Sequence, residues 1–128
     1  MGTFSFVEFM REGGRGMWPI LLLGLVTLAS SIRYMARPER YCMPFIASLW
    51  AALLVVVVHA TISDVAAVLS HLADPARTPE GQVARFLFEG LKESTRPAGL
   101  GGIFLTLSPL LVAGGIYRTW ASERRATT

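Results

Sequence analysis

Charge is what this sequence has least of. Only 16 % of its 128 residues are Asp, Glu, Lys or Arg, against about a quarter in ordinary soluble domains. Lysine occurs once, at Lys92, and cysteine once, at Cys42. A lone cysteine excludes an internal disulfide and a multi-cysteine metal site. The two histidines, His59 and His71, stand twelve apart with no second carboxylate nearby, so no metal-ligand spacing is present. There is no nucleophile and base pair, no phosphate-binding loop and no cofactor motif. An enzyme is therefore not expected, and neither is a cofactor. The net charge of +3 rests on eleven arginines and one lysine that are spread out instead of forming one patch. This argues against a nucleic-acid partner.

The missing charges are missing in blocks. None falls in residues 16–32, 41–63 or 97–117, runs of 17, 23 and 21 residues. A hydrocarbon core about 30 Å thick needs about 20 apolar residues in a helix. The second and third runs meet that outright. Arg33 can snorkel, so that Tyr34, Met35 and Ala36 lengthen the first. Trp18, Tyr34, Tyr41, Tyr117 and Trp120 sit at the run edges, where aromatic belts meet water. That placement favours a bilayer over the alternative of a helical core within a larger soluble assembly.

The expected fold is an all-α membrane protein, a single transmembrane domain over residues 1–128 with helices at about 17–36, 43–72 and 80–119. Residues 3–12 carry Phe4, Phe6, Val7, Phe9 and Met10 and suggest a short interfacial helix on the bilayer surface. Glu8 within that stretch, with no cleavage site after it, speaks against a signal peptide. Phe6 departs from the myristoylation pattern. Gly13-Gly14-Arg15-Gly16 breaks this helix, and Trp18-Pro19 opens the first span. The short connection around Pro38 predicts an antiparallel hairpin with the second span. Helix-compatible sequence then continues to Leu72, roughly 45 Å at 1.5 Å per residue, so the second helix tilts or projects into water. Thr78-Pro79-Glu80 reads as a capped helix start. Val83, Phe86, Leu87, Gly90 and Leu91 repeat at helical spacing, making an amphipathic segment that leads into the third span through a kink at Pro97.

Small residues crowd the third span, among them Ala98, Gly99, Gly101, Gly102, Ser108, Gly114 and Gly115. In lipid such residues mark close helix approach, so Ala98, Gly101 and Gly102 are expected at packing surfaces of a homo-oligomer; packing within one chain is the alternative. Basic residues near the helix ends number six on each side. Arg33, Arg37, Arg40, Arg118, Arg124 and Arg125 meet only Glu39 and Glu123, whereas the opposite set is offset by nearby acids. The expected orientation is N-terminus outside and C-terminus inside, with Cys42 on the inner face.

Ionisable residues inside a span are functional candidates by default. Asp64 is the foremost, one turn beyond Thr61; the alternative is that it merely ends the apolar run at the interface. His59, four before Ser63, reads more readily as a neutral packing histidine than as a proton relay.

The stretch Glu12-Gly13-Gly14-Arg15-Gly16-Met17-Trp18-Pro19-Ile20-Leu21-Leu22 resembles the start of the first helix in the MotA/TolQ/ExbB proton-channel family. Ala60-Thr61-Ile62 is similar to that family's threonine element in the second helix. Gly90-Leu91-Lys92-Glu93-Ser94, followed by Gly99-Leu100, resembles the elements around its third. The resemblance implies a pentamer in the bacterial cytoplasmic membrane that passes protons or sodium ions beside a single-span partner. Thr61 would face the pore, and Glu93 would sit at its outer end. The family's large domain between the first two helices is replaced by a short loop, and its third-helix threonine falls on Ala98. A minimal ion-conducting subunit is thus one expected function, and a non-conducting structural or accessory subunit the other.

Overall fold

The computed structural model describes Thr3 and residues 5–128; Phe4 of the expected interfacial helix lies outside them. The elements are α1 (Phe6–Glu12), α2 (Met17–Ala36), α3 (Cys42–Ala73), a 3-10 turn (Glu80–Gln82), α4 (Val83–Ser94) and α5 (Arg96–Ala126). Among the described residues there is no strand. The helices α2 and α3 and the α4–α5 stretch are each long and apolar enough to cross a membrane. The chain is an all-α, multi-pass membrane protein.

Its burial pattern is that of a bundle built for lipid. Leu22 is 67 % exposed and Val55 66 %, while Thr27, Ser31 and Ser108 are wholly buried. The valine run at 55–58 would be a weak helix former in water. In hydrocarbon it has no alternative, because a backbone amide finds no partner outside the helix.

Three helix boundaries differ from expectation. The hydroxyl of Thr78 does not cap a following helix; it donates 3.2 Å back to the His71 carbonyl, and the Thr78 N–H donates to Asp74 O. Thr78 thus satisfies carbonyls left over at the end of α3. The join between α4 and α5 is a one-residue interruption two positions before Pro97. The chain breaks at Thr95, whose hydroxyl donates to Lys92 O, and Pro97 sits in the first turn of α5, where no N–H is needed. The last helix also runs to Ala126, seven residues past the expected 119.

Close approaches set the register. A side chain at Gly24 would collide with Phe104, and one at Gly115 with Tyr34, so α2 and α5 run parallel in intimate contact. Gly16 lies against Ala60 and Gly101 against Val57, so α3 runs antiparallel to both. Taking α2 as the ruler, α3 beyond Ala60 overhangs its start by about 20 Å, and α5 overhangs its end by about 14 Å. The excess length of α3 is therefore an overhang, along which α4 folds back: Val68 fills the space at Gly90, and the rings of His71 and Phe86 lie 6.1 Å apart.

Candidate functional site

The glycine turn after α1 builds the first wall of the candidate site. Ser5 caps α1, accepting from the Glu8 N–H at 3.4 Å, and Met10 turns fully into the core. Gly14 has φ +79, a left-handed conformation that only glycine adopts without strain. That reversal carries the chain into α2 and leaves Glu12 facing α5, where it pairs with Arg96. Arg96 has a side chain only 19 % exposed, and its guanidinium lies 5.7 Å from the Phe9 ring centre.

The other walls are α3 and α4. Asp64 stands beside Gly14, and Glu93 projects from α4 just before Ser94, whose buried hydroxyl donates 2.8 Å to Gly90 O. Glu12, Asp64 and Glu93 line one open cleft of about 160 Å³, floored by Gly13, Gly90 and Val68. Glu12 is held by Arg96. Among the described residues, Asp64 and Glu93 have no ion-pair or hydrogen-bond partner. The cleft carries negative charge to spare. Among the described residues no three His, Cys, Asp or Glu converge closely enough to hold a metal ion.

Of the residues singled out by sequence, the structure brings Asp64 and Glu93 together and adds Glu12. Thr61 does not join them. Its half-buried hydroxyl donates 2.8 Å to Val57 O of its own helix, near the level at which Gly16 packs on Ala60. His59 and Ser63 are both exposed on the outer surface with no hydrogen bond between them, so His59 is not the internally bonded packing residue expected.

The small residues of α5 divide. Ala98 and Gly102 face outward, and with Gly99 they border a shallow open groove of about 490 Å³ with Ile103, Thr106 and Leu107. A Cβ added at Gly99 or Gly102 would meet nothing. Gly101 faces inward, buried against Val57, and so serves packing within one chain instead of an outer surface. Gly101 and Gly102 stand about 100° apart around the helix axis, enough to turn one inward and the other outward.

Sequence reasoning did not reveal the connection among the hydroxyls inside the spans. Trp50 Nε1 donates 2.6 Å to Ser108 Oγ, which lies 2.5 Å from Ser31 Oγ. Ser31 donates 2.8 Å to Thr27 O, and Thr27 donates 2.6 Å to Leu23 O. Because the one proton of Ser31 is committed to Thr27 O, Ser108 donates to Ser31. The chain is fully oriented and joins all three spans. It begins at an indole N–H, which cannot deliver a proton at ordinary pH, so it acts as a fastening and not as a proton wire. The available signal was the i, i+4 spacing of Thr27 and Ser31, together with a tryptophan lying well inside its run.

Comparison with known protein families, with curated proteins and with solved structures finds no match in any of the three.

Proposed function

We propose that this chain is the multi-pass subunit of a homo-oligomer in a bacterial cytoplasmic membrane, N-terminus outside and C-terminus inside, and that ions pass between its copies beside a single-span partner. The observation that carries the proposal is a bundle with a packed interior and an open small-residue surface on α5. The interior is occupied by Phe104, Val57 and the hydroxyl chain, so the ion path in this reading runs between copies and not through one. The outward Ala98, Gly99 and Gly102 allow a second backbone to approach, the condition for tight helix association in lipid.

In this reading the cleft of Glu12, Asp64 and Glu93 gathers cations at the outer mouth. Between the levels of Met17 and Ala36 the chain carries no carboxylate, so a titrating acid at mid-depth would come from the partner. The resemblance to the MotA/TolQ/ExbB family supplies the ion, the partner and the pentamer, and Thr61 is the residue that it places in the pore. The test is proton flux in liposomes holding the protein with a candidate single-span partner. Flux that falls with Thr61→Val while the oligomer persists supports the proposal. Flux no greater than in empty liposomes favours the second reading, a non-conducting structural or accessory subunit. That reading draws on the same lack of a carboxylate at depth.

A further inference from the structure

The net positive charge of this protein lies at one end. The end holding the α2–α3 turn and the overhang of α5 carries six arginines against Glu39 and Glu123, a net of +4; the opposite end carries six basic and seven acidic residues, a net of −1. At the positive end, Arg118 Nη1 donates 2.7 Å to Met35 O, which fixes its guanidinium at the level where α2 stops. Arg118, Ser122 and Arg125 follow at i, i+4 and i+7, on one face of α5. With Pro38 and Tyr117 they line an open groove of about 590 Å³ that no carboxylate borders. The Arg125 guanidinium has no hydrogen-bond or ion-pair partner among the described residues. The groove on the other side of α5 differs, because there Arg40 and Glu123 approach to 3.9 Å and offset each other.

We propose that the Arg118–Arg125 groove holds the phosphodiester of an anionic phospholipid of the phosphatidylglycerol class. Depth supports it. Arg125 lies about 10 Å beyond Arg118 along the helix, while the headgroup layer is roughly 5–8 Å thick on each face, so the two arginines bracket the phosphates. Chemistry supports it as well. Free guanidinium N–H groups match phosphate oxygens, and the remaining donors of Arg118 are available after its one bond to Met35. A zwitterionic headgroup would bring an ammonium into a groove with no carboxylate to receive it. The surroundings are those of a water interface: Tyr117 lies 6.2 Å from Trp120, and Arg124 stacks 3.7 Å over the Trp120 ring. The proposal stands whichever way the chain is oriented, and it does not rest on ion conduction.

Native mass spectrometry of the delipidated protein decides the matter, using titrations with phosphatidylglycerol and with phosphatidylcholine of the same chains. The expected result is a preference for phosphatidylglycerol that falls roughly fivefold with Arg125→Gln and disappears with Arg118→Gln/Arg125→Gln. Arg85→Gln, at the opposite end, should leave the preference unchanged. Equal binding of the two lipids overturns the proposal, as does a preference that survives the double substitution or falls equally with Arg85→Gln. Displacement of phosphatidylglycerol by millimolar inorganic phosphate would show a free-anion site and overturn the lipid assignment. If loss of the Met35 contact prevents the double variant from folding, Arg125→Gln alone decides between these outcomes, since that side chain holds no other residue in place.

Discussion

Trp50 and Ser108, 58 residues apart in sequence, meet through a 2.6 Å hydrogen bond that ties the second span to the third. Ser108 passes the connection to Ser31 of the first. Removing Ser108 leaves an indole N–H without its acceptor and Ser31 without its donor, with both serines fully buried. Ser108→Ala should therefore lower stability by about 1–2 kcal/mol, and Trp50→Phe by about 1 kcal/mol, near the upper range for interhelical bonds in membranes. Reversible denaturation by sodium dodecyl sulfate in mixed micelles measures both. A neutral Ser108→Ala would show that the three hydroxyl-bearing helices are held by packing alone.

Gly101 and Gly102 are neighbours in sequence and opposites in role. Gly101→Leu should disturb the single chain, since Val57 already occupies the space, and overpacking of this kind costs about 1–3 kcal/mol. Gly102→Leu meets nothing within the chain and should leave the fold intact while disrupting the oligomer. Native mass spectrometry and denaturation, applied to both variants, separate the two effects. An unmodified protein that is monomeric in mild detergent would end the oligomer proposal.

The cleft gives a charge-specific expectation. Glu93→Lys and Asp64→Asn both reduce the negative mouth, and neither residue holds another in place, so stability should change by less than about 1 kcal/mol. Glu93→Lys should lower cation flux more than Asp64→Asn, because it reverses a charge instead of removing one. Glu12→Gln should additionally release Arg96, loosening α1. Flux measurements with unchanged oligomer content are the readout, and equal flux in all three variants would dissociate the cleft from conduction.

Orientation can be tested at Tyr41, which is 93 % exposed in the α2–α3 turn. In a Cys42→Ser background, Tyr41→Cys should resist a membrane-impermeant maleimide in intact cells and react after permeabilisation. Reaction before permeabilisation would invert the proposed topology.

The three spans were legible because exclusion of charge from hydrocarbon is a local property that any window of sequence displays. The 17–36 boundary of the first helix was recovered because a glycine turn and a proline at its ends leave the chain little choice. Pro97 was not decidable, since proline serves equally at a kink and in a first turn; Thr95, which ends α4 with a bond to Lys92 O, made the difference. The facing of Gly101 and Gly102 was hidden for another reason. A stripe of small residues shows that helices approach, but only the rotation of α5 about its axis shows which ones. Asp64 and Glu93 were each singled out, yet Glu12 was not, because its place in the cleft depends on the left-handed turn at Gly14. The bond from Trp50 to Ser108 joins separate spans, and no sequence window contains it.

The parallel pairing of α2 with α5 also bears on biosynthesis. A ribosome delivers α2 and α3 to the membrane long before α5, yet the closest surface of α2, around Gly24, belongs to Phe104. Thr27 and Ser31 can wait in lipid because each already donates to a carbonyl of its own helix. Trp50 cannot do so, and its N–H must seek water or a headgroup until Ser108 arrives. The early hairpin is thus an incomplete intermediate with one unsatisfied donor, and emergence of the last helix is the event that closes the molecule.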